Sequence, residues 1–393
     1  MTPDWLPDLA TDLNARVDAR AAELIALSHD IHDHPELGFA EHHASKRLVG
    51  ALTEASFTTT TGVADLATAF RAERVFGSGG PTIAIFCEFD ALPEIGHACG
   101  HNIIATAGLG AALAVANRLA ETGGNGKLVV LGSPAEEGGG GKVIMADAGA
   151  LSDVDVAVMV HPAGFDAVSR TNLGRASLEA AFTGRASHAA AAPEQGLNAL
   201  DAATLLLVAI GLLRQQLRTD SRLHANLVEG GDAINVIPER SRVKLFIRSP
   251  DVEYLRDRLY TALHDCVRGA AIATGTTYEL TEVAPAYDPV RTNPVLADIA
   301  EHAFAALGRP IDQVAGRSGN AGSTDMGNVS QLVPAIHPYI QVAPGLSLHT
   351  RDFAAAARGA DGDRAVRDGA SLLAITVSAL FDHPELVEQA RAS

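Results

Sequence analysis

The sequence is short of cysteine, of positive charge and of long apolar runs. Its 393 residues include 3 cysteines, Cys87, Cys99 and Cys266, which are scattered and odd in number. This pattern argues against a disulfide framework and is typical of a reducing compartment, so we expect a cytoplasmic protein. The N-terminal stretch MTPDWLPDLATD lacks the basic and apolar regions of a signal peptide.

Positive charge is scarce relative to negative charge. Lysine and arginine number 30 against 47 acidic residues, which gives a formal net charge of -17. Such a charge repels nucleic acid and anionic membranes, so we expect neither as a partner. The longest apolar run, AATLLLVAIGLL, is about half of the roughly 20 residues that a membrane span requires. It predicts a buried helix instead.

Apolar runs alternate with helical patterns in the first part of the chain. The runs PTIAIFCEFDALP, KLVVLGSP and DVAVMVHP predict buried strands. Helices are predicted over residues 12–33, over NIIATAGLGAALAVANRLAETGG and over KVIMADAGAL. Strands that alternate with helices favour an α/β domain with a mostly parallel sheet.

The pattern changes near residue 176. Strand patterns are SLEAAFTGRASH, RLHANLVEG, AINVIP, SRVKLFIR and TYELTEVAP, and helical patterns are NALDAATLLLVAIGLLRQQL and DVEYLRDRLYTALHDCVRGAAIATG. Two helices interleaved among strands predict a split β-α-β sandwich. We therefore expect an α+β domain at 177–286, inserted into a first domain made of residues 1–176 and 287–393.

Carboxylates, imidazoles and a thiol follow the three predicted strands of the first domain. Open α/β sheets place their sites beyond the carboxyl ends of strands. The residues at these ends are Glu88, Asp90, His97, Cys99, His101, Glu136, Glu137 and His161. Zn²⁺ accepts all three ligand types, so the set predicts a metal site.

The stretch AEEGGGG places two carboxylates side by side, at Glu136 and Glu137. If one of them binds metal, the other can act as general base on the metal-bound water. A phosphate-binding loop is excluded, because Glu136 stands where that motif needs glycine and Val143 where it needs Ser or Thr. A thiol hydrolase with Cys99 as nucleophile remains an alternative, although it gives the glutamate pair no task.

Other polar residues stand in loops farther along the chain. His188, Asn235 and Arg248 lie in the predicted insert, and His349 lies in APGLSLHTRDF. Each of them is unremarkable alone, and each of the three in the insert could bind an anionic part of a substrate. The cluster HDIHDHPELGFAEHH, which contains five histidines, is interpreted mainly as a solvated helix end.

Several of these motifs together resemble the M20 metallopeptidases, in particular their amidohydrolase branch. The motifs are HPELGF, FDALP, HACGHN, SPAEEGGGGK, VHP, GRASHAA, NVIP and LHT, in order over nearly the whole chain. The resemblance implies a catalytic α/β domain with an inserted ferredoxin-like lid that mediates a homodimer.

The resemblance also implies two divalent ions, Zn or Mn, and a role for particular residues. The implied metal ligands are Cys99, His101, Glu137, His161 and His349. Glu136 would be the general base, and His188 would assist the transition state, within its own subunit or across the dimer. Asn235 and Arg248 match less closely, as residues that hold the substrate carboxylate or carbonyl.

Two departures from the branch bear on the substrate. Asn102 replaces a common Asp, and GSTDMGNVS replaces a common Glu-Asp-Phe motif. Both variants resemble the dipeptidase subgroup that includes the mammalian β-alanyl-lysine type. We expect a metal-bound hydroxide to hydrolyse the amide of a dipeptide, an N-acyl amino acid or an aminobenzoyl-glutamate-like substrate. The alternatives are an inactive metal-binding carrier or regulatory protein on the same scaffold and the Cys99 thiol hydrolase.

Overall fold

The computed structural model describes residues 3–314 and 322–393, and these form two compact units. Unit 1 comprises the described residues within 1–171, 290–320 and 325–393. Unit 2 comprises 172–289 with the described residues of 321–324. The insert was predicted at 177–286, so unit 2 begins earlier and ends later than the sequence pattern suggested.

A six-stranded mixed sheet forms the centre of unit 1. Its strands are β1 Thr58–Thr61, β2 Phe70–Phe76, β3 Thr82–Glu88, β4 Gly126–Ser133, β5 Val156–Val158 and β11 Ala335–Ile336. They lie in the order β1-β2-β4-β3-β5-β11. Strands β4, β3, β5 and β11 run parallel, whereas β2 pairs antiparallel with β4 and with β1. The α/β class is therefore correct, but the sheet has an antiparallel edge that the sequence patterns did not predict.

Helices cover the sheet of unit 1. They are α1 Leu6–Asp18, α2 Ala21–Asp33, α3 His42–Glu54, α4 His101–Thr122, α5 Gly141–Asp147, α8 Pro294–Ala306, α9 Met326–Leu332, α10 Arg351–Arg358, α11 Ala360–Asp382 and α12 Pro384–Ala392. Helix α4 is apolar on nearly all sides because it packs between the sheet and α11. The single helix predicted over 12–33 is in fact two, with a break between Asp18 and Ala21.

The third predicted strand of the first domain is broken into two short strands. Strand β5 ends at Val158, and the next strand, β6 His161–Ala163, pairs instead with β12 Tyr339–Gln341 in a separate parallel pair. His161 therefore begins a strand rather than following one. The break places its side chain at the carboxyl edge of the main sheet, near Cys99.

Unit 2 is a four-stranded antiparallel sheet with two helices. Its elements are β7 Gly174–Thr183, α6 Ala199–Leu213, β8 Arg222–Glu229, β9 Arg240–Ser249, α7 Tyr260–Thr274 and β10 Thr277–Tyr287. The strands lie in the order β10-β7-β9-β8. One turn of π-helix, Tyr254–Leu259, leads into α7. The predicted strand AINVIP does not form. Its residues make a turn that touches β-structure only through a bridge between His188 and Val236.

Helix α6 was predicted to be buried, but only one face of it is. Two helices, His101–Thr122 and Ala199–Gln216, are long and apolar enough by composition to cross a membrane. In an apolar stretch of 18 residues from each helix, 83% of the first is buried but only 28% of the second. Leu205, Val208 and Leu212 are exposed on α6. Unit 2 thus carries an apolar helix face with no partner among the described residues.

Candidate metal centre

The carboxyl ends of β3 and β4 bring four acidic side chains to the same edge of the sheet. Glu88 ends β3, Asp90 follows it, and the loop after β4 carries Glu136 and Glu137. Asp90 Oδ2 accepts a hydrogen bond from the Glu137 backbone N–H at 3.0 Å. Because the two strands are parallel neighbours, their loops meet at one edge of the sheet.

Cys99 and His101 enter this edge from the start of α4. Gly100 lies between them at φ 77°, and a Cβ there would come within 2.6 Å of Pro162 Cγ. Glycine is thus required for the close approach of the loop to β6. The His101 ring is oriented by Asp90, whose Oδ1 lies 3.0 Å from Nδ1, so Nε2 is the nitrogen that faces the site.

One group of possible ligands consists of Cys99, His101 and His161, all buried, with donor atoms that lie within 4.8 Å of one another. Cys99 Sγ lies 3.6 Å from His161 Nε2. The His161 Nδ1 lies 2.7 Å from the Pro162 carbonyl oxygen, to which it donates, so Nε2 is left with its lone pair toward the site. Each imidazole therefore presents Nε2 to the site, the nitrogen that can bind a metal.

A second group shares the thiol and consists of Cys99, Glu137 and His349. Glu137 Oε1 lies 3.3 Å from His349 Nε2. His349 adopts φ 61°, and its backbone N–H donates to the Ala98 carbonyl at 2.9 Å, which ties the C-terminal loop to the loop of Cys99. The structure thus brings all five predicted ligands together around one sulfur atom. That they bind ions stays a prediction.

The separations of the donor atoms fit divalent ions. A tetrahedral Zn²⁺ with Zn–N of about 2.05 Å, Zn–O of about 2.1 Å and Zn–S of about 2.3 Å separates its donors by roughly 3.4–3.6 Å. The observed separations are 3.6 Å for Cys99–His161 and 3.3 Å for Glu137–His349. The nitrogen–oxygen separation is longer than a good direct hydrogen bond. If each group held an ion, Cys99 would belong to both sites.

Burial sets the protonation of the donor side chains. Burial and the charge of Glu137 raise the pKa of the Cys99 thiol. Burial also lowers the pKa of His161 to about 4, which keeps its imidazole neutral. A cation is the usual means of stabilising a thiolate in such surroundings, because metal coordination deprotonates the thiol. The donor set is therefore suited to a bound metal and poorly suited to a free thiolate nucleophile.

Glu136 lies beside the two groups and not within them. Its Oε2 is 4.0 Å from His101 Nε2, and the residue is 6% exposed. Burial, together with the charges of Glu88 and Asp325, raises the pKa of Glu136 well above its ordinary value. For Glu137, the effect of burial is outweighed by the neighbouring His349 and His101 imidazoles, and the pKa is lowered. The adjacent glutamates thus differ in proton affinity in the sense that a base and a ligand require.

Glu41 holds the loop of the two glutamates, and no sequence motif had singled it out. Its Oε1 accepts the backbone N–H of Phe39 and that of Ala135, both at 2.9 Å, and its Oε2 accepts the Thr68 hydroxyl at 2.8 Å. Phe39 and Ala135 both have positive φ, 66° and 57°. Because Ala135 precedes Glu136, this fully buried carboxylate fixes the direction in which the loop presents its acids.

A buried ion-paired group was also missed. Lys142, at the start of α5, has no exposure and its ammonium contacts both Glu88 Oε1 and Asp325 Oδ1. The signal for Lys142 is present in the sequence as the lysine that ends SPAEEGGGGK, but in that position a lysine suggests a phosphate loop before it suggests an ion pair. Asp325 belongs to the variant stretch GSTDMGNVS, and its partner could not be inferred without the fold.

The three predicted site residues of unit 2 fall into two places. His188 and Asn235 lie in adjacent exposed loops, joined by a 3.0 Å hydrogen bond from the Ala189 N–H to the Asn235 carbonyl. The His188 Nδ1 accepts the backbone N–H groups of Ala190 and Ala191 at 3.2 and 3.1 Å, which assigns the hydrogen to Nε2. Arg248 lies near the end of β9.

Arg248 has a second arginine as its cross-strand neighbour. Arg175 of β7 pairs with it in register, and its guanidinium carbon lies 3.7 Å from the centre of the Tyr287 ring. Arg175 is 8% exposed, and burial and the charge of Arg175 lower the pKa of Arg248. Neither arginine has a carboxylate partner within the described part of the chain.

The remaining histidines of the early motifs have structural partners. His97 is buried, and its Nε2 lies 3.1 Å from the Ile31 carbonyl oxygen, so it ties the loop of Cys99 to α2. In the histidine-rich cluster, His34 and His43 surround Asp30, which Arg47 already contacts at 2.8 Å. Asn102, one of the sequence departures, donates to Ser28 Oγ at 2.9 Å and so serves packing.

The chain resembles known proteins over most of its length. Residues 86–372 match the model of peptidase family M20/M25/M40. The chain is 37% identical over 387 residues to the Xaa-Arg dipeptidase of Mus musculus, covering 96% of this chain and 90% of that one. It is 34% identical over 319 residues to one of the two p-aminobenzoyl-glutamate hydrolase chains of Escherichia coli (strain K12), covering 75% of this chain and 64% of that one.

A solved structure shows the same fold. The Bacillus subtilis YXEP protein, described as a dinuclear metal binding peptidase from the M20 family, superposes with a TM-score of 0.71 at 22% identity. The match covers 93% of this chain and 99% of that one. The family follows from the extent of the family match and from the 37% identity to a relative of which 90% is covered: the chain belongs to peptidase family M20.

Proposed function

We propose that the protein is a metal-dependent dipeptidase that acts on dipeptides with a free carboxylate. Hydrolysis of an amide bond follows from the family and from relatives named as dipeptidase and aminobenzoyl-glutamate hydrolase. The observation that carries the proposal is the meeting of Cys99, His101, His161, Glu137 and His349 beside Glu136. The relative with the greater identity and coverage is the Xaa-Arg dipeptidase, so dipeptides ending in arginine are the first substrates to test.

Two divalent ions would be held by the two groups that share Cys99. When bound, such ions polarise the amide carbonyl and lower the pKa of a water to about 7. The thiolate ligand favours Zn²⁺, although the carboxylate and imidazoles also suit Mn²⁺. The identity of the native metal is therefore part of the proposal and is tested by reconstitution.

Glu136 is proposed to move the proton. Its raised pKa suits a carboxylate that accepts a proton from the attacking water and returns it to the leaving amine. His188 is proposed to donate its Nε2 hydrogen to the developing oxyanion, since its Nδ1 is already engaged as an acceptor. Whether His188 serves its own subunit or a partner is left to a mixed-dimer complementation assay.

The substrate carboxylate is proposed to bind at Arg248, with Arg175 and Asn235 as supporting donors. Two neighbouring guanidiniums without a carboxylate partner among the described residues favour an anionic ligand. We expect Arg248→Gln to raise KM for a dipeptide by at least about tenfold, the loss of one charged hydrogen bond, with little change in kcat. A dipeptide amide should bind wild type and variant equally. Equal KM values for the free acid would remove Arg248 from this role.

Unit 2 is proposed to be a ferredoxin-like lid that forms a homodimer. Its order of strand, helix, two strands, helix and strand supports the first part. The exposed apolar side chains Leu205, Val208 and Leu212 on α6 support the second. Sedimentation of wild type and of Val208→Glu would test the dimer. The proposed location is the cytoplasm, in keeping with the free thiols of Cys87, Cys99 and Cys266.

The central experiment uses chelator-treated protein reconstituted with Zn²⁺ or Mn²⁺. The substrate panel comprises Xaa-Arg and Xaa-Lys dipeptides, N-acyl amino acids and aminobenzoyl-glutamate, with release of the amine as the measurement. We expect hydrolysis only after reconstitution and the highest kcat/KM for dipeptides. Preference for aminobenzoyl-glutamate would support the activity named for the bacterial relative. Metal binding without turnover would support a carrier, and activity that survives chelation but not iodoacetamide would support the thiol mechanism.

A further inference from the structure

Glu88 belongs to a buried group of charges next to the candidate metal centre. Its Oε1 contacts the Lys142 ammonium, which also lies 2.8 Å from Asp325 Oδ1. The Lys142 backbone N–H donates to Asp325 Oδ2 at 2.9 Å. All three side chains have no exposure to solvent. The group therefore combines two carboxylates with one ammonium in the interior of unit 1.

These charges do not balance by themselves when both acids are ionised. One negative charge remains, and a buried charge without a counter-ion is strongly disfavoured. The group must either carry an additional proton or lie against a further cation. The free oxygen of Glu88 and the imidazole nearest to it favour the second possibility.

The second oxygen of Glu88 faces the metal-binding nitrogen of His101. Glu88 Oε2 and His101 Nε2 lie 3.6 Å apart, and neither makes a hydrogen bond. That separation is too long for a direct hydrogen bond, so a proton shared between them is not what holds them there. The His101 Nδ1 is engaged by Asp90, which leaves Nε2 as the donor atom toward Glu88.

A divalent ion fits between the two atoms. With Zn–N of about 2.05 Å and Zn–O of about 2.1 Å, a separation of this length corresponds to an N–Zn–O angle of roughly 120°. Glu88, His101 and Glu136 also form a group whose donor atoms lie within 4.8 Å of one another. His101 links this group to the one that contains Cys99 and His161.

We propose that Glu88 is an additional carboxylate ligand of the ion held by Cys99, His101 and His161. This inference rests on the proposed metal-dependent function and adds a residue beyond the five ligands that the family resemblance implies. Lys142 and Asp325 are positioning residues, because Lys142 contacts Glu88 Oε1 and Asp325 holds Lys142 in place. Oε2 of Glu88 is left directed at His101.

The proposal gives the two ions different surroundings. An ion near Glu88 would have four protein ligands, the number that closes a tetrahedral site. An ion near Glu137 would have Cys99 and His349 as its other ligands, and a position would stay open for water or substrate. The exposure supports this division, since the His349 side chain is 52% exposed and His101 is not exposed at all. We therefore expect one ion to be tightly held and one to exchange readily.

The first test is a crystal structure of the Zn²⁺-loaded protein with both ions at full occupancy. A distance of about 2.0–2.2 Å from Glu88 Oε2 to an ion would support the proposal, because this is the length of a zinc–carboxylate bond. A distance above about 3 Å would overturn it. This measurement is independent of any activity.

The second test compares Glu88→Gln with Asp166→Asn. Asp166 is a matched control, because it is a buried carboxylate of unit 1 that pairs with Arg309 at 3.0 Å and belongs to none of the ligand groups. Competition with a chelator should show at least about a 100-fold loss of affinity for the tight ion in Glu88→Gln, beyond the loss typical of groups that only orient a ligand. Asp166→Asn should keep both affinities. Unchanged affinity in Glu88→Gln would overturn the proposal.

Further results separate a failure of this inference from a failure to fold and from a failure of the proposed function. If Glu88→Gln fails to fold, Glu88→Asp retains the charge with a shorter reach, and its tight ion should bind more weakly than that of wild type. Equal affinity in a folded Glu88→Asp would count against a direct bond. If wild type binds no ions and hydrolyses no amide, the proposed function itself fails. If wild type does both and Glu88 lies far from the ions, only this inference fails.

Discussion

The segment from His29 to His43 and the loop from His97 to His101 are both dense in histidine, yet the structure gives them different tasks. In the first segment, Asp30 is satisfied by Arg47 at 2.8 Å and by His43 at 3.1 Å, and its side chain is partly exposed. In the second, the donor nitrogen of His101 is buried and makes no hydrogen bond. We therefore expect buried donors that lack partners to identify a metal site better than the number of histidines does.

The largest predicted effect tests this comparison directly. We expect His161→Ala to bind fewer ions and to lose nearly all activity, because it removes a ligand from the group that contains Cys99. The double variant His34→Ala/His43→Ala should keep both ions and its activity within about twofold, as surface substitutions usually do. Metal content and kcat/KM decide the matter. Loss of an ion from the double variant would show that histidine density, and not burial, marks a site here.

The second prediction concerns Glu136, the carboxylate proposed as general base beside the two groups that share Cys99. Glu136→Ala should keep both ions and lose about 10²- to 10⁴-fold in kcat, the usual contribution of a general base. The measurement is kcat with ion content determined on the same sample. An unchanged kcat would remove Glu136 from the mechanism. Loss of an ion together with activity would move Glu136 into the group of ligands.

Most of the predicted ligands could be found in the sequence because they follow strands. Parallel strands present their carboxyl ends at one edge, so Cys99, His101 and Glu137 were expected to meet. His161 was included for a partly wrong reason, since it begins β6 and does not follow β5. His349 came only from the family resemblance. Its place depends on a loop with φ 61° at that residue, which no periodicity could indicate.

Other features could not be predicted because they depend on long-range packing. The antiparallel edge strand β1 is a run of four threonines with little apolar signal. Lys142 pairs with Asp325 across 183 positions, and Glu41 binds Ala135 across 94. Sequence patterns show periodicity within an element, but they do not show which distant polar groups satisfy one another in the interior.

The third prediction concerns Glu41, which sharpens the comparison because it lies within the histidine-rich segment and yet holds the loop of Glu136 and Glu137. Glu41→Ala leaves the N–H groups of Phe39 and Ala135 without their acceptor, which should cost about 2–4 kcal/mol of the free energy of unfolding. It should also lower kcat by about tenfold with little change in KM, since displacement of the loop affects the transition state. Chemical unfolding and steady-state kinetics measure the two effects.

The control is Glu41→Gln, which keeps an oxygen acceptor for both N–H groups. Most of the kcat should return in this variant. If Glu41→Ala lost stability but kept its kcat at a temperature where it is folded, Glu41 would be structural only. Recovery of stability without recovery of kcat in Glu41→Gln would instead point to the charge, and not the geometry, of Glu41.

The smallest predicted effect lies in the histidine-rich segment itself and concerns stability. His32 is partly buried and its Nε2 lies 2.9 Å from the Ala354 carbonyl oxygen. Burial lowers the pKa of His32 below its ordinary value of 6.5, with the hydrogen bond to Ala354 opposing the shift. The folded state therefore binds fewer protons than the unfolded state just below pH 6.5. The contribution of His32 to stability is complete above pH 6.5 and is lost as the pH falls through the pKa of His32 in the folded state.

We therefore expect the free energy of unfolding to fall less steeply between about pH 6.5 and 5 in His32→Gln than in wild type. The difference in slope should correspond to less than one proton taken up on unfolding. Measurements at about pH 8 are the control, because His32 is neutral in both states there and any remaining difference reports lost packing. Parallel curves below pH 6.5 would mean that His32 does not titrate differently on unfolding. In that case His32 would contribute to the histidine-rich segment only by packing beside His97. The comparison of the two regions would then rest on the buried donor atoms near Cys99 that make no hydrogen bond.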